Sequence, residues 1–370
     1  METKVCIAHF ESYFGTIEDK RCGNRKVHPL INILFITLVG VTSGFSTFVE
    51  IEDFAKARTD YFKKYLDLTY GIPSHDTLGN VFAIIDPAHF AECFENWSSS
   101  LRELISSDFI ALDGKSIRSS FDKPKNKQPV HLMNVWSSAN RVCLAQMRCD
   151  VKSNEIIALK ELLEKLDLDK CVVSADAMHC HKDTTKQITA AGADYVLGLK
   201  KNELKMYTHC VDSFANAGSE IEQIITTEKG HGRIETRIID FIQVNASENN
   251  VFDGWDNVNG FVRITTSRTE VSKTTSEIRY YLASLKDIQN ASKAVRYHWQ
   301  IENNLHWVLD NAFLEDKCRV RDNNAGENFA YIRKIVLNLL TRNKEKLSFK
   351  RMMLKALLDE KYLETLLQSF

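Results

Sequence analysis

The central segment of this sequence spans residues 296–307 and reads RYHWQIENNLHW. It contains neither Gly nor Pro, and apolar residues in and around it recur at near-helical intervals: Val295, Trp299, Leu305 and Leu309. This pattern predicts a helix. Glu302 lies close to the apolar stripe, with His298 and His306 four residues to either side. Because burying an unpaired carboxylate is costly, Glu302 needs a partner, which could be an Arg, a proton or a metal ion.

Composition and charge exclude several classes of protein. The 370 residues are 44% hydrophobic and 26% charged, with a formal net charge of −1. A dedicated nucleic-acid coat would be strongly basic, so any surface that binds nucleic acid must be local. The nine cysteines form no CxxC pair, which favours free thiols in a reducing cytoplasm over disulfides or a zinc cluster. Residues 1–19 lack a signal-peptide pattern and the apolar run 30–45 is too short to span a membrane, so we expect a cytoplasmic protein.

Residues 1–105 predict a helical N-terminal domain. Pro29 suits the first turn of a buried helix, and Ser74 can cap a helix over residues 74–85 through its side-chain oxygen. In the next helix along the chain, apolar residues fall three and four apart on one face: Phe90, Phe94, Trp97, Leu101 and Leu104. The helix over 74–85 has the length of a DNA-recognition helix, and His75 and Asn80 are its candidate base contacts.

From residue 108 onward, strands and helices alternate. Apolar runs that end in an acid, at 109–113 and 171–176, predict buried strands. The other elements are predicted as strands over 130–138 and 142–150, a helix over 155–166, a helix over 182–191, a strand over 195–200 and a helix over 203–217. Between 224 and 285 the residues are β-branched or alternate. Helices are predicted again around Glu302, over 327–342 and over 349–367. This order predicts an α+β fold with helices packed on a mixed sheet.

Two aspartates end similar predicted strands, and their position suggests a shared site. If the strands are neighbours, Asp113 and Asp176 point into one crevice, where they repel each other unless a cation holds them. With Glu302 they could hold two Mg²⁺ ions about 3.5–4 Å apart, an arrangement suited to reactions at phosphorus. Taken singly, either Asp is better explained as a turn or helix cap, and Glu302 as an ion-paired surface residue. The residues alone leave the metal site and these alternatives open.

The order of elements around these acids resembles the ribonuclease-H-like fold of DDE transposases and retroviral integrases. Local motifs are similar to those of the H-repeat-associated transposases of bacterial insertion sequences, over about residues 10–342. They are residues 71–77 (GIPSHDT), 111–115 (ALDGK), 152–156 (KSNEI), 176–178 (DAM), 193–197 (ADYVL), 231–237 (HGRIETR) and 298–303 (HWQIEN). The resemblance implies that Asp113, Asp176 and Glu302 are the catalytic, metal-binding DDE triad. It also implies Mg²⁺ as cofactor, with Mn²⁺ able to substitute, and DNA cleavage followed by strand transfer.

The resemblance also predicts the domain organisation. We expect a helical transposase-associated domain at 1–105, a ribonuclease-H-like catalytic domain at 106–345 and a C-terminal helix at 346–370. Asp176 and Glu302 are 126 residues apart, which is too long for a bare fold of this kind. The excess is the β-rich stretch at about 221–285, which we interpret as an insertion within the catalytic domain. The partners implied are the element ends and target DNA, bound by a homodimer, without a membrane.

The chain departs from the wider superfamily around Glu302. Many relatives have a Tyr and an Arg before the Glu and a Lys seven residues after it, where this chain has Val295, His298 and Leu309. Lys201 stands where relatives tend to have Gly in a Gly-Asn-Gln motif. Two alternatives to an active transposase stay open: a catalytically decayed copy that only binds DNA, and a structure-selective nuclease of the same fold.

Basic residues flank the acids and are candidates for contacts to DNA phosphates. The candidate DNA-binding residues are Lys115, Arg118, Lys200, Arg233, Arg237, His298, His306, Arg319 and Arg321, and Lys123, Lys125 and Lys127 lie in the same loop as Arg118. The two histidines beside Glu302 could instead form a zinc site with it, which would leave both aspartates unexplained. The triplet 179–181 (HCH) is interpreted as loop. Core packing is the expectation for Trp299 and Trp307, with base stacking as the alternative.

Overall fold

The computed structural model describes the chain except residues 1–2, 24–25, 104–107, 122–127, 150–154, 231, 271–272 and 344. Parts of the predicted motifs at 152–156 and 231–237, and the lysines at 123, 125 and 127, therefore lie outside the described residues. The chain forms two compact units: Met1–Leu104, Gly114–Asn154 and Glu302–Phe370 make up the first, and Ile105–Asp113 and Glu155–Ile301 the second. The predicted domain boundaries stay a prediction.

Apart from the C-terminal region, the order of elements matches the predicted one. The helices up to residue 100 are α1 (Thr3–Phe14), α2 (Leu30–Thr42), α3 (Phe48–Ala57), α4 (Thr59–Phe62), α5 (His75–Ile84) and α6 (Pro87–Ser100). Next come β1 (Phe109–Ile117), β2 (Val130–Ser137), β3 (Val142–Cys149), α7 (Glu155–Lys165), β4 (Val172–Ala175), α8 (Lys182–Ala190), β5 (Asp194–Leu199) and α9 (Leu204–Asn216). The β-rich stretch holds β6 (Glu222–Gly230), β7 (Arg233–Gln243), β8 (Gly260–Glu270) and β9 (Lys273–Ala283). The chain continues with α10 (Ile288–Gln300), a π-helical segment (Ile301–His306), α11 (Trp307–Asn311), α12 (Ala325–Arg342), α13 (Phe349–Leu358) and α14 (Glu360–Leu367).

Local signals in the sequence explain where the helices of the first unit begin. The Ser74 hydroxyl accepts a hydrogen bond from the Thr77 amide at 3.3 Å, as predicted for the start of α5. Asp86 caps α6 in the same way, with Pro87 as the first helical residue. Helix α2 is buried over nearly its whole length, as its apolar sequence predicts. In the described parts of the chain, we find no helix whose length and apolar character would allow it to cross a lipid bilayer.

The sheet of the second unit is mixed. Strand β1 pairs in parallel with β4, β4 pairs in parallel with β5, and β5 pairs antiparallel with β9. The antiparallel series β9-β8-β7-β6 then extends the sheet, so the β-rich stretch joins it through β9. In the first unit β2 and β3 form an antiparallel hairpin. Within the second unit the strands have the order β1-β4-β5-β9-β8-β7-β6, and the predicted α+β fold with a mixed sheet is confirmed.

Helix α10 packs on one face of this sheet. Its buried residues Ile288, Ala291, Ala294 and Val295 share an apolar core with alternate residues of the strands, among them Phe109, Val172, Val196, Phe241, Val262 and Tyr281. Because side chains alternate between the two faces of a strand, this core identifies the face toward which α10 lies. Asp113 and Asp176 continue the alternating series of Phe109 and Val172, so they lie on that same face.

The C-terminal region differs from the prediction of a single helix over 349–367. The chain leaves the helical conformation at Asp359, whose φ and ψ are −124° and 106°. The carboxylate of Asp359 accepts hydrogen bonds from the amides of Lys361 and Tyr362, at 3.0 and 3.3 Å. Asp is therefore an N-cap here, and it begins α14 as a new helix after α13.

Candidate functional site

The register of β1 and β4 places Asp113 and Asp176 side by side. Leu112 pairs with Ala175 at the end of the parallel ladder, and each aspartate is the next residue of its chain. The carboxyl ends of parallel strands meet at one edge of the sheet, where ligands bind in α/β folds. Asp176 has a side chain that is 66% exposed, and Asp113 is partly buried. Within the second unit the structure therefore brings the two predicted aspartates together.

His298 of α10 contacts the carboxylate of Asp176. Its Nε2 lies 3.5 Å from Oδ1 of Asp176, and its Nδ1 lies 3.2 Å from the hydroxyl of Ser174, two residues earlier on the same face of β4. The hydrogen bond with His298 lowers the pKa of Asp176, and the charge of Lys200 adds to that effect against the opposing influence of burial. Asp176 is thus an ionised carboxylate at neutral pH, and His298 contacts it directly.

Gly198 and Asn202 shape the turn after Asp176. A Cβ atom on Gly198 would lie 2.9 Å from the Ala177 nitrogen and 3.4 Å from the Asp176 carbonyl carbon, so β5 approaches this backbone closely only because residue 198 has no side chain. The amide of Asn202 donates to the Ala177 carbonyl at 2.8 Å. Sequence reasoning missed Gly198, although a glycine inside a strand is a signal for close backbone approach.

Glu302 lies in the first unit, in the π-helical segment. Its Oε2 is 3.6 Å from Nδ1 of His306, and the other ring nitrogen of His306 lies 3.4 Å from the amide nitrogen of Asn134. Burial lowers the pKa of His306 although the Glu302 carboxylate opposes this, so the ring is neutral at neutral pH. Glu302 and His306 each offer a ligand atom to a metal ion. Glu302 is half exposed rather than buried in the apolar stripe as its spacing suggested.

Lys115 lies in a buried group of charges rather than at the surface. Its ammonium faces three carboxylates, those of Asp310 at 2.6 Å, Glu315 at 3.4 Å and Asp316 at 3.4 Å. Glu315 also faces Arg333 at 3.9 Å, and Lys334 donates to Gln146 at 2.5 Å. We call Lys115, Asp310, Glu315, Asp316, Arg333 and Lys334 the Lys115 cluster. Only 8% of the surface of Lys115 is exposed, so its charge lies in the interior rather than at the surface as its neighbours in the sequence suggested.

The fully buried Glu315 is the centre of this cluster. Burial alone raises the pKa of a carboxyl group, but Lys334, Lys115 and Arg333 together outweigh it and lower the pKa of Glu315. The carboxylate therefore stays charged inside the protein. Removing one member of such a group leaves its partners uncompensated, which destabilises a fold strongly.

The other predicted DNA contacts differ in exposure. Arg118, Lys200, Arg319 and Arg321 are exposed, and Arg118 lies 3.2 Å from Asp316. Arg237 is engaged by two acids of the β-rich stretch, Glu228 at 3.1 Å and Glu235 at 2.5 Å. Arg233 lies 3.9 Å from Glu235. His306 is buried. The DNA contacts of the whole set stay predictions.

The expectation of core packing for Trp299 and Trp307 is wrong. Trp299 is 43% exposed and Trp307 is 62% exposed. Helix α10 packs through its small residues, Ala291 and Ala294, and Trp299 lies beyond them at the end of that face. Downstream, Leu305, Val308 and Leu309 are the buried residues, which leaves Trp307 outside.

The structure also shows the positions and contacts of the histidine triplet (179–181) and of the candidate recognition helix α5. Residues 177–179 form a short 3-10 turn in which His179 is buried, 3.5 Å from Glu155, so the prediction of a simple loop there misses a structured turn. His75 begins α5 and contacts Glu52 through both its amide and its ring. A DNA-reading role for His75 and Asn80 stays a prediction.

Comparisons with known proteins agree with one another. A family model described as "Transposase DDE domain" matches residues 105–339, and one described as "DDE_Tnp_1-associated" matches residues 11–98. The H repeat-associated putative transposase YhhI of Escherichia coli (strain K12) is 34% identical, over 99% of this chain and 98% of its own. The putative transposase YncI of Escherichia coli O157:H7 is 37% identical, over 96% of this chain and 94% of its own.

One solved structure is also similar, at a level too low to support an inference. It is a cryo-EM structure of a piggyBac transposase synaptic complex with hairpin DNA, with a TM-score of 0.44 and 9% sequence identity. The match covers 99% of this chain and 77% of that one.

Proposed function

Because this chain belongs to the family of transposases with a DDE domain, we propose that Asp113, Asp176 and Glu302 carry its cleavage and joining of DNA strands. The observation that carries the proposal is the register of β1 and β4, which places Asp113 and Asp176 next to each other just beyond the last pair of the parallel ladder. Glu302 comes from the π-helical segment, and such segments occur frequently at functional sites.

The family implies a divalent metal ion, and the donor groups of this chain fit one. Asp113 and Asp176 offer carboxylate oxygens from adjacent strands, and the low pKa of Asp176 keeps that ligand ionised. Oxygen donors of this kind suit Mg²⁺, which we propose as the metal, and Mn²⁺ should replace it. When bound, such ions supply charge stabilisation at phosphorus and an activated oxygen nucleophile.

The residues around the acids have supporting roles in this proposal. His298 and Ser174 fix the Asp176 carboxylate, and His306 with Asn134 does the same for Glu302. Partners of this kind hold the metal-binding carboxylates in the orientation they need, so these side chains move less when the metal ion and the substrate bind. The exposed basic residues Arg118, Lys200, Arg319 and Arg321 would position the DNA backbone without reading its sequence.

The wider assembly also belongs to the proposal. We propose that residues 1–105 form a domain that binds the element ends, that 106–345 form the catalytic domain with an insertion at about 221–285, and that 346–370 complete the fold. A homodimer would hold two element ends and the target DNA, in the cytoplasm. The requirement for two ends at once supports the dimer.

The test is a strand-transfer assay with purified protein, Mg²⁺ or Mn²⁺, and labelled DNA from the flanks of its own gene. Asp113→Ala, Asp176→Ala and Glu302→Ala should each abolish joined product while DNA binding persists. Asp212→Ala, which removes an acid of α9, is the matched control and should keep full activity.

Three outcomes would contradict parts of the proposal. Full activity in any one of the triad variants would remove that residue from the catalytic assignment. Cleavage without joining in the wild type would identify a nuclease of the same fold. DNA binding without either product would identify a decayed copy, and the catalytic proposal would be withdrawn.

A further inference from the structure

A cavity of about 710 Å³ lies in the first unit, and the residues that line it have no individual role in the proposed function. They come from four separate segments of the chain: Lys20, Ala83, Ile84, Arg148, Asn323 and Asn324. Two of these described residues are cations, two carry carboxamides and none is acidic. A concave site with a few convergent polar groups is where a ligand is expected to bind. This lining favours an anion.

Lys20 takes part in an exposed ion pair at the cavity. Its ammonium donates to Asp86 at 2.9 Å, and both side chains are 43% exposed. An exposed pair of this kind contributes little to stability, so Lys20 can exchange its partner at small cost. The second carboxylate oxygen of Asp86 accepts a hydrogen bond from the Ala88 amide at 3.1 Å. Asp86 therefore keeps its capping role in α6 when Lys20 turns to an anion.

Arg148 gives the cavity a second positive charge, near the end of β3. Its guanidinium lies 3.8 Å from the Glu327 carboxylate, and its side chain is 28% exposed. A guanidinium presents five N–H donors in a planar fork, so Arg148 can face Glu327 on one side and a phosphate on another. Arg binds phosphate oxygens in pairs for the same geometric reason. The contact with Glu327 is therefore compatible with a bound anion.

The end of α5 that lines the cavity would repel an anion if its carbonyl groups were open, because the last carbonyls of a helix carry partial negative charge. The carboxamide of Asn328 donates to the carbonyls of Phe82 and Ile85, at 2.8 and 3.0 Å. The carboxamide of Asn324 donates to Ile85 at 3.2 Å, and its backbone amide lies 3.4 Å from the Ala83 carbonyl. These bonds occupy the carbonyls, so the two cations dominate the charge of the lining.

We propose that this cavity binds a phosphate of the DNA backbone, with Lys20 and Arg148 as the charged contacts and the Asn323 carboxamide as a neutral donor. The inference rests on the proposed function and assigns the first unit a contact with DNA outside the triad. Ile84, which is 37% exposed, would lie against the sugar next to that phosphate. A contact of this kind positions the duplex without reading its sequence.

DNA is the source of phosphate that the surroundings favour. Two of the predicted DNA contacts, Arg319 and Arg321, are exposed and come four and two residues before Asn323. Their backbones are therefore within about 14 Å of Asn323, even along a fully extended chain. A phosphate ion shares the same chemistry with the cavity, so the experiment includes inorganic phosphate as a separate probe.

The test measures how DNA binding by the purified protein depends on salt, without divalent metal, so that no cleavage occurs. Two duplexes are compared: one from the flanks of its own gene, and one of the same composition in scrambled order. Lys20→Ala and Arg148→Ala should each lower the slope of log affinity against log salt by about 0.9, for both duplexes alike. Each lost contact then makes the gain in affinity from a tenfold dilution of the salt about 8-fold smaller.

Two further variants separate the cavity from general effects of charge. Lys64→Ala is the matched control, because Lys64 is a lysine of the first unit whose side chain is 45% exposed and ion-paired to Glu360 at 2.7 Å. It should bind DNA with the slope of the wild type. Arg148→Lys should keep the slope but lose part of the affinity, because an ammonium cannot make a paired contact. Thermal unfolding shows whether each variant is folded, and Lys20→Ala tests the cavity even if Arg148→Ala does not fold.

The outcomes distinguish failure of the cavity site from failure of the function. Wild-type slopes in Lys20→Ala and Arg148→Ala, in a protein that still binds and joins DNA, would overturn the site and leave the proposed function intact. If inorganic phosphate also raised the melting temperature of the wild type but not of Lys20→Ala, at matched ionic strength, the cavity would hold a small phosphate and the DNA assignment would be wrong. A loss confined to the gene-flank duplex would contradict a backbone contact. A wild-type protein that binds neither duplex would overturn both proposals.

Discussion

Gly198→Ala tests whether the backbone after β4 is held in place by the absence of a side chain. The added Cβ would lie 2.9 Å from the Ala177 nitrogen, 3.4 Å from the Ala177 Cα and 3.4 Å from the Asp176 carbonyl carbon. All three are backbone atoms, so no flexible side chain can move aside. Overpacking of this kind costs about 1–3 kcal/mol of folding free energy. In a unit of this size that corresponds to a melting temperature lowered by about 2–12 °C.

The same substitution should affect activity more than stability. The strand can accommodate the methyl group only by moving the backbone at Asp176 and Ala177, which displaces the carboxylate from its position opposite His298. A displacement on the order of 1 Å at a reacting centre can lower a rate by about 100-fold. We therefore expect strand transfer by Gly198→Ala to fall by about this factor while DNA binding is kept.

The measurements are thermal unfolding and the strand-transfer assay, with Gly79→Ala as matched control. A Cβ on Gly79 in α5 would meet only the Phe48 ring, at 3.6 Å, an ordinary contact. Because Ala is favoured over Gly inside a helix, that control should be as stable as wild type or gain up to about 1 kcal/mol. If Gly198→Ala melts and reacts as the wild type does, the close approach of β5 does not position Asp176, and the reasoning is refuted.

Three further predictions concern stability. The hydrogen bond with Lys56 is the largest of the effects that lower the pKa of Glu52 from 4.5 to about 2. The stabilisation that the Glu52 carboxylate contributes is therefore complete above about pH 4.5 and is lost as the pH falls toward 2. In acid titrations followed by circular dichroism, Glu52→Gln should lose less stability over that range than the wild type. Phe370→Ala removes a ring packed among the aromatic side chains of α1 and α6 and should destabilise by about 2–4 kcal/mol in urea unfolding. Glu315→Gln should cost about 3–5 kcal/mol because Lys334, Lys115 and Arg333 lose a negative charge that faces them in the interior. Glu345→Gln, at an exposed ion pair, should cost at most about 1 kcal/mol in the same experiment.

The sequence predicted the features that depend on local pattern. Apolar runs ending in an acid predicted β1 and β4, although β1 continues past Asp113 to Ile117. The parallel pairing of these strands brings Asp113 and Asp176 next to each other. The predicted family is confirmed by the family model and by relatives matched over nearly the whole chain. The correct predictions of strands and helices have one physical cause. A strand or helix that buries one face has apolar residues at regular intervals, and this spacing can be seen among neighbouring residues of the sequence.

Contacts between residues distant in the sequence could not be predicted. Several basic residues come after Lys115 and favour a surface position for it, yet it is neutralised by acids about two hundred positions away. The contact of His298 with Asp176 is of the same kind, because nothing in the sequence around either residue indicates that the other lies nearby. A charged residue indicates its role only together with its partner, and the partner is determined by the fold.

The π-helical segment explains the remaining disagreement at the central helix. Continuing the helical period from Ala291 through Val295 and His298 places Glu302 on the buried stripe, but Ile301 and Leu305 are fully buried while Glu302 is half exposed. Hydrogen bonds from residue i to i+5 add a residue to the turn and so rotate the downstream side chains relative to their positions in an α-helix. A buried Glu302 would need a permanent charged partner, as Glu315 does, and its carboxylate could not then bind a ligand reversibly. The turn that breaks the period is therefore the feature that leaves this carboxylate accessible while Ile301 and Leu305 stay in the core.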